Sequence, residues 1–412
     1  MNRVVITGLG AVTPVGNTVA ETWQAFVAGR SGIATITHFD PSNYEVKIAG
    51  EVKGFSLDGL VSPKEARHMD LCSQYAVAAA CEAVADAGLR ITPENADQVG
   101  VIFGSGGGGV QRLLEQERIR VERGPDRVSP FFLPHFLTDS ASGILAIILG
   151  AMGPNMAVVS ACATGGHAIG EAFETVRRGD AEAMIAGGTE AAIVPVIVAG
   201  FINMRALVGD NDHPERASRP FDRDRAGFVI SEGAGAVILE RLEHALGRDA
   251  RIYAEVAGYG SSNDAFHMAA PRDQGKGAVQ CMRMALRKSD LPPTAVDYIN
   301  AHGTSTPLND KYETAAVKEV FGPHAYELSI SSTKSMVGHM FGAAGAVESI
   351  ACIKAIEEGI VPPTINYATP DPECDLDYTP NRARRREVDV ALSNSFGLGG
   401  HNSCVVFRKY VP

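Results

Sequence analysis

Cys162 lies in the run Ala157-Val158-Val159-Ser160-Ala161-Cys162-Ala163-Thr164-Gly165-Gly166-His167. Apolar residues lead into the cysteine and small residues follow it. The pattern predicts a strand over 157–161, an elbow, and a helix over 165–178. A thiol there would sit at a helix N-terminus, where unpaired N–H groups and partial positive charge favour an anion. It should ionise more readily than an ordinary thiol of pKa ~8.5. The same N–H groups could hold a developing oxyanion. The elbow alone fits a buried structural cysteine equally well, since free cysteine is commonly buried.

Two histidines follow predicted strands. His302, in Asn300-Ala301-His302-Gly303-Thr304-Ser305-Thr306-Pro307, comes just after an apolar run at 296–299. The C-terminal end of a strand is where α/β sheets place ligands. Ser331-Ser332-Thr333-Lys334-Ser335-Met336-Val337-Gly338-His339 repeats that arrangement and leads to Gly342-Ala343-Ala344-Gly345-Ala346 and Glu348. Either histidine alone reads as structural. Two histidines and a lysine at sheet ends, with an elbow cysteine, make the set that thioester chemistry needs. Asn394-Ser395-Phe396-Gly397-Leu398-Gly399-Gly400-His401-Asn402 reads as a loop whose backbone can approach a ligand, or as a tight β-bend. Gly104-Ser105-Gly106-Gly107-Gly108-Gly109 has the local dinucleotide fingerprint, with Asp126 about 20 residues on. The segment after the next helix, Ser129-Pro130-Phe131-Phe132-Leu133-Pro134, is not a buried parallel strand, which counts against nucleotide binding.

Strands over 4–7, 100–103, 183–186 and 234–239, with helices over 73–87, 109–122 and 314–320, would position these groups. Their alternation predicts a layered α/β fold around a mostly buried sheet. A second cycle starts near 251 and continues through strands at 296–300, 328–331 and 388–393. Two related halves, 1–250 and 251–412, are expected to share one core. The 412 residues can bury a sizeable core. With 37 basic and 48 acidic residues, the net charge is 37 − 48 = −11. An acidic chain is a poor non-specific nucleic-acid binder, and an acidic partner would need a local basic patch. Seven cysteines, an odd number with no C-x-x-C, argue against a disulfide framework or a zinc site and for a reducing compartment. No apolar run reaches the ~20 residues of a membrane span, and the N-terminus lacks a signal-peptide layout. The expectation is a cytoplasmic protein.

Across the whole chain these motifs, with Val4-Val5-Ile6-Thr7-Gly8 and Ser218-Arg219-Pro220-Phe221-Asp222, resemble the β-ketoacyl-acyl-carrier-protein synthases, most of all the type II enzymes of dissociated fatty-acid synthesis. The resemblance implies an α/β fold of thiolase type, five-layered α-β-α-β-α with mixed sheets, usually a homodimer with its dimer contacts in the N-terminal half. It implies that Cys162 is acylated by acyl carrier protein, with the oxyanion held by the N–H groups of Cys162 and Leu398. His302 and His339 would hold the enolate formed when malonyl carrier protein decarboxylates. Lys334 would keep both rings uncharged, Glu348 would be catalytic or structural, and Phe396 would support the site. Thr304 and Thr306 would bind the phosphopantetheine arm, which belongs to the carrier, so no free cofactor is needed and no metal is assigned. Phe201 and Gly107 would line the acyl pocket. Lys64, Arg67, Arg127 and Arg205 would dock the carrier, whereas Arg382, Arg384, Arg385 and Arg386 read as an exposed loop. Leu398 and Gly107 stand where the family has larger side chains, and His401 replaces a threonine. A longer or looser cavity accepting longer or branched primers is therefore expected. A polyketide ketosynthase, an inactive chain-length factor, a thiolase and a non-enzymatic scaffold are the rival readings. Cys162 counts against the chain-length factor, and His339 in place of a second cysteine counts against the thiolase.

Overall fold

The computed structural model describes residues 1–412. Ten strands build its main sheet: β1 (Val4–Val12), β2 (Val99–Ser105), β3 (Asn155–Met156), β4 (Ala183–Glu190), β5 (Gly233–Arg241), β6 (Ala254–Asn263), β7 (Tyr298–Asn300), β8 (Ser329–Ser331), β9 (Val390–Gly397) and β10 (His401–Arg408). Their order is β8-β7-β9-β10-β6-β1-β5-β4-β2-β3. Between β6 and β1 the order divides into two five-strand arrays of one topology: third, second, fourth, fifth, first. Each array pairs its second and fourth strands in parallel and its fourth and fifth antiparallel. The arrays join only where Val4, Val5 and Ile6 pair with Val256, Glu255 and Ala254.

Helices α1 (Leu71–Ala87), α2 (Thr164–Arg178), α3 (Lys276–Ser289), α4 (Pro307–Phe321) and α5 (Ala344–Glu358) supply the layers. Side chains alternate across a strand. Thus Ile102, Val237 and Leu239 face the inner core with Ile169 and Phe173 of α2, Ile350 and Ile353 of α5, and Tyr298 and Val405 of the other array. Val101, Phe103 and Ile238 face outward onto Tyr75, Ala76 and Ala80 of α1. Ile299, Leu392 and Val406 pack on Met282 and Ala285 of α3 and Val317 of α4. The result is α-β-α-β-α, with α2 and α5 in the middle layer. These two helices meet at their N-terminal ends, where a Cβ on Gly165 would lie 2.7 Å from Ala346 N, and one on Gly345 2.6 Å from Gly166 N. Only glycine permits that approach, and it sets the Cys162 turn beside the turn of Phe341–Ala343.

The sequence places several boundaries wrongly. The strand expected over 157–161 is absent: β3 ends at Met156. Beyond it the Val158 carbonyl lies over Gly104, 2.1 Å from where a Cβ would be. The chain therefore crosses over β2 rather than continuing beside it. The helix expected over 314–320 runs from Pro307 to Phe321, because Pro307 at the first turn needs no N–H partner. The strand expected to open at 251 begins at Ala254. Of the basic run, Arg384–Arg385 form a short exposed strand against Ile360–Val361. No helix is long and apolar enough to cross a membrane.

Candidate active site

Cys162 sits in a 3-10 turn, Ala161–Ala163, that feeds directly into α2. Ala161, at φ 51°, makes the sharp bend. The Leu398 N–H, from the β9–β10 hairpin, and the Cys162 N–H both favour the ionised form of the thiol. Gly397 lies against this turn. A Cβ there would stand 2.7 Å from Ser160 O and 3.2 Å from Cys162 N, so no side chain fits. The arrangement can hold negative charge at the two N–H groups.

The resting thiol is not the anion that the elbow suggests. Burial pushes Cys162 up to about 12, and the Leu398 N–H and the Lys334 charge offset only part of that. Desolvation at this site outweighs the helix terminus.

His302 follows β7, and its N–H and that of Gly303 donate to Glu313 Oε1 and Oε2 at 2.9 and 2.8 Å. Burial pushes the Glu313 carboxyl up to about 7. The His339 backbone is fixed by Val229 O at 2.7 Å and Ser231 N at 3.0 Å. The two rings stand 5.3 Å apart, nearly perpendicular. Burial first, and then the Lys334 charge, holds both well below the ordinary histidine range, so both are neutral. Each Nδ1 is enclosed without a partner, which leaves Nε2 for the cavity. Lys334, itself buried, pairs with buried Glu348 and acts on both rings through its charge.

Cys162, His302 and His339 border one cavity of about 450 Å³. Thr304, Thr306, Phe201, Phe396, Leu398 and Arg205 also line it. Thr304 and Thr306 share a hydroxyl contact of 2.9 Å. Phe201 stacks on Phe341 and meets Phe228 edge-on. Phe396 stands 5.6 Å from the His302 ring. Leu398 is 37% exposed, at the mouth.

Gly107 does not line the cavity of this chain. It is exposed, and its N–H and that of Gly106 donate to Glu190 at 3.0 and 2.9 Å. Ser105 Oγ and Gly342 N bind the same carboxylate. The protein's own Glu190 therefore occupies the nest in which the glycine-rich run would cradle a phosphate. Lys64, Arg67, Arg127 and Arg205 are exposed, but only Arg205 borders the mouth. Lys64 and Arg67 belong to the short helix at 63–66 and its cap, and Arg127 follows the helix Val110–Arg123.

The sequence reading missed Glu313, Phe228, Phe341 and Arg225. Arg225 ion-pairs with Asp371 at 2.5 Å and donates to Pro307 O at 3.0 Å, fixing the threonine turn. Arg225, Phe228 and Phe341 acquire meaning only from partners far along the chain, whereas Glu313 lies only about one helix length from His302. No cluster of three or more acidic, histidine or cysteine side chains is placed to share an ion.

Residues 1–245 match the family model described as the β-ketoacyl synthase N-terminal domain, and residues 253–368 match the C-terminal domain. The chain is 53% identical over 408 residues to 3-oxoacyl-[acyl-carrier-protein] synthase 2 of Synechocystis, covering 99% of this chain and 98% of that one. It is 50% identical, at the same coverage, to the synthase of that name from Staphylococcus aureus strain COL. Among solved structures it resembles a type II polyketide ketosynthase in complex with its acyl-carrier protein. That match has a TM-score of 0.91 and 37% identity over the full length of both chains.

Proposed function

We infer the reaction from one premise: the chain belongs to the β-ketoacyl synthase family. It is a 3-oxoacyl-[acyl-carrier-protein] synthase, an acyltransferase that condenses an acyl primer with a malonyl unit. The observation that carries the assignment of roles is one cavity bordered by a single thiol and two buried, neutral imidazoles, with Leu398 beside them.

Cys162 attacks the acyl thioester, and the oxyanion is held by the Cys162 and Leu398 N–H groups. The thiol proton leaves with the departing phosphopantetheine sulfur, so no net base is consumed. Malonyl carrier protein then loses CO₂. Nε2–H groups of His302 and His339 hold the enolate oxygen, which suits neutral donors in a dry site. The carbanion attacks acyl-Cys162, the C–S bond breaks, and the thiolate takes up a proton. The β-ketoacyl product is two carbons longer. Lys334 and Glu348 position the rings without touching substrate. Thr304 and Thr306 hold the arm, whose chemistry requires no separate cofactor. Phe201 supports the apolar wall. Leu398, smaller than the usual gate residue, favours longer or branched primers.

The same reading divides the chain at 250/251 and gives a homodimer. In support, Ile147, Met152, Met156 and Val159 are exposed apolar side chains beside the open edge of β3. It also places the reaction in the cytoplasm, where seven unpaired thiols stay reduced. Intact mass after incubation with octanoyl carrier protein tests the central step. Wild type should gain one acyl group and Cys162→Ala none. Normal elongation by Cys162→Ala would sink the assignment.

A further inference from the structure

His167 has no part in the steps above. It lies in the first turn of α2 and is 7% exposed. Its Nδ1 is 2.6 Å from Ser160 Oγ, and its Nε2 is 3.2 Å from the carbonyl oxygen of Asn402 and 3.2 Å from Ser261 Oγ. A carbonyl only accepts, so Nε2 carries the proton. Burial lowers the ring to about 4, so it is neutral and Nδ1 accepts the Ser160 hydroxyl.

Each end of this bridge is anchored. The Ser160 N–H donates to Thr164 Oγ1 at 2.9 Å, and its carbonyl accepts from Ala163 N at 3.1 Å. Asn402 pairs with Phe396 across the β9–β10 hairpin, and Leu398 lies between those two residues. Neither Cys162 N nor Leu398 N belongs to a regular α-helix or strand that would fix it. Their separation is therefore set by the close backbone contact at Gly397 and by side-chain ties between the two segments.

We propose that His167 is a positioning residue that sets the spacing of the two oxyanion donors, Cys162 N and Leu398 N, by tying Ser160 to Asn402. The proposal rests on the acyl-transfer reading above. A misplacement of about 1 Å at such a site can cost about 100-fold in rate.

His167→Phe keeps a ring against Tyr259 but loses the hydrogen bonds at both nitrogens, whereas His167→Gln can keep an acceptor and a donor. Two reactions of Cys162 are followed by intact mass: acylation by octanoyl carrier protein, which builds an oxyanion, and alkylation by iodoacetamide, which does not. In His167→Phe, acylation should fall roughly 100-fold while alkylation, which feels the two N–H groups only through ionisation of the thiol, falls far less, and His167→Gln should recover most of the loss. Ser160→Ala, which removes the Nδ1 partner alone, gives the same comparison should the Phe variant not fold. Equal loss of both reactions, or no loss of acylation, overturns the proposal. A wild type that alkylates but never acylates overturns the acyl-transfer reading and this inference with it. Normal wild-type acylation beside an unaffected His167→Phe overturns the inference alone.

Discussion

Cys162 and its two histidines show how one environment acts on groups of opposite charge type. Burial penalises the charged form of each, so it raises the thiol to about 12 and lowers both imidazoles. Lys334 lowers all three, helping the thiol ionise and the rings stay neutral. The outcome is a resting site with a neutral nucleophile and neutral donors. The thiolate fraction should therefore rise about tenfold per pH unit through pH 10, without the plateau of an ordinary thiol near ~8.5. Iodoacetamide alkylation rates across pH 7–10 check this. A plateau below pH 10 would mean that the helix terminus and Lys334 outweigh burial after all.

Two turns do what helices and strands cannot. The 3-10 turn at Ala161–Ala163 holds Cys162 at the start of α2, and the hairpin between β9 and β10 brings Leu398 to the same cavity, where its N–H favours the ionised thiol. They touch at Gly397, where a methyl group would collide with the Ser160 carbonyl at 2.7 Å. Backbone has little room to yield in a packed interior. Gly397→Ala should therefore separate the turns and slow acylation by about 10- to 100-fold, with the melting temperature changed by only a few degrees. Single-turnover acylation and thermal denaturation measure the two effects. An unaltered acylation rate would show that the hairpin moves freely.

The assembled molecule is acidic, yet its proposed partner is an acidic carrier. Exposed Lys64 and Arg67 would then supply local attraction against a charge of −11. Reversing both to glutamate should raise KM for acyl carrier protein several-fold, more at low salt, and leave KM for small thioesters unchanged. Equal effects on both substrates would remove these residues from docking. Ile147, Met152, Met156 and Val159 expose apolar side chains near the open edge of β3, and a contiguous patch of this kind marks a protein contact. Sedimentation velocity should show a dimer, and Met156→Lys, set in that patch, should weaken it. A monomeric wild type would refute the dimer.

The alternation of strands and helices in two cycles, and Cys162, His302 and His339, which the fold brings to one cavity, were legible in the residues. Strand periodicity and residues that can carry chemistry are local properties, and both survive in a linear string. The path of 157–161, the neutral resting thiol, the outward-facing Gly107 and the roles of Glu190, Glu313 and His167 were not. Each depends on a partner tens or hundreds of residues away, or on how much water the fold excludes. Glu190 looks like any strand-end acid until Gly106, Gly107 and Gly342 converge on it. Desolvation belongs to a packed interior, so folding alone sets which protonation state each of these groups holds.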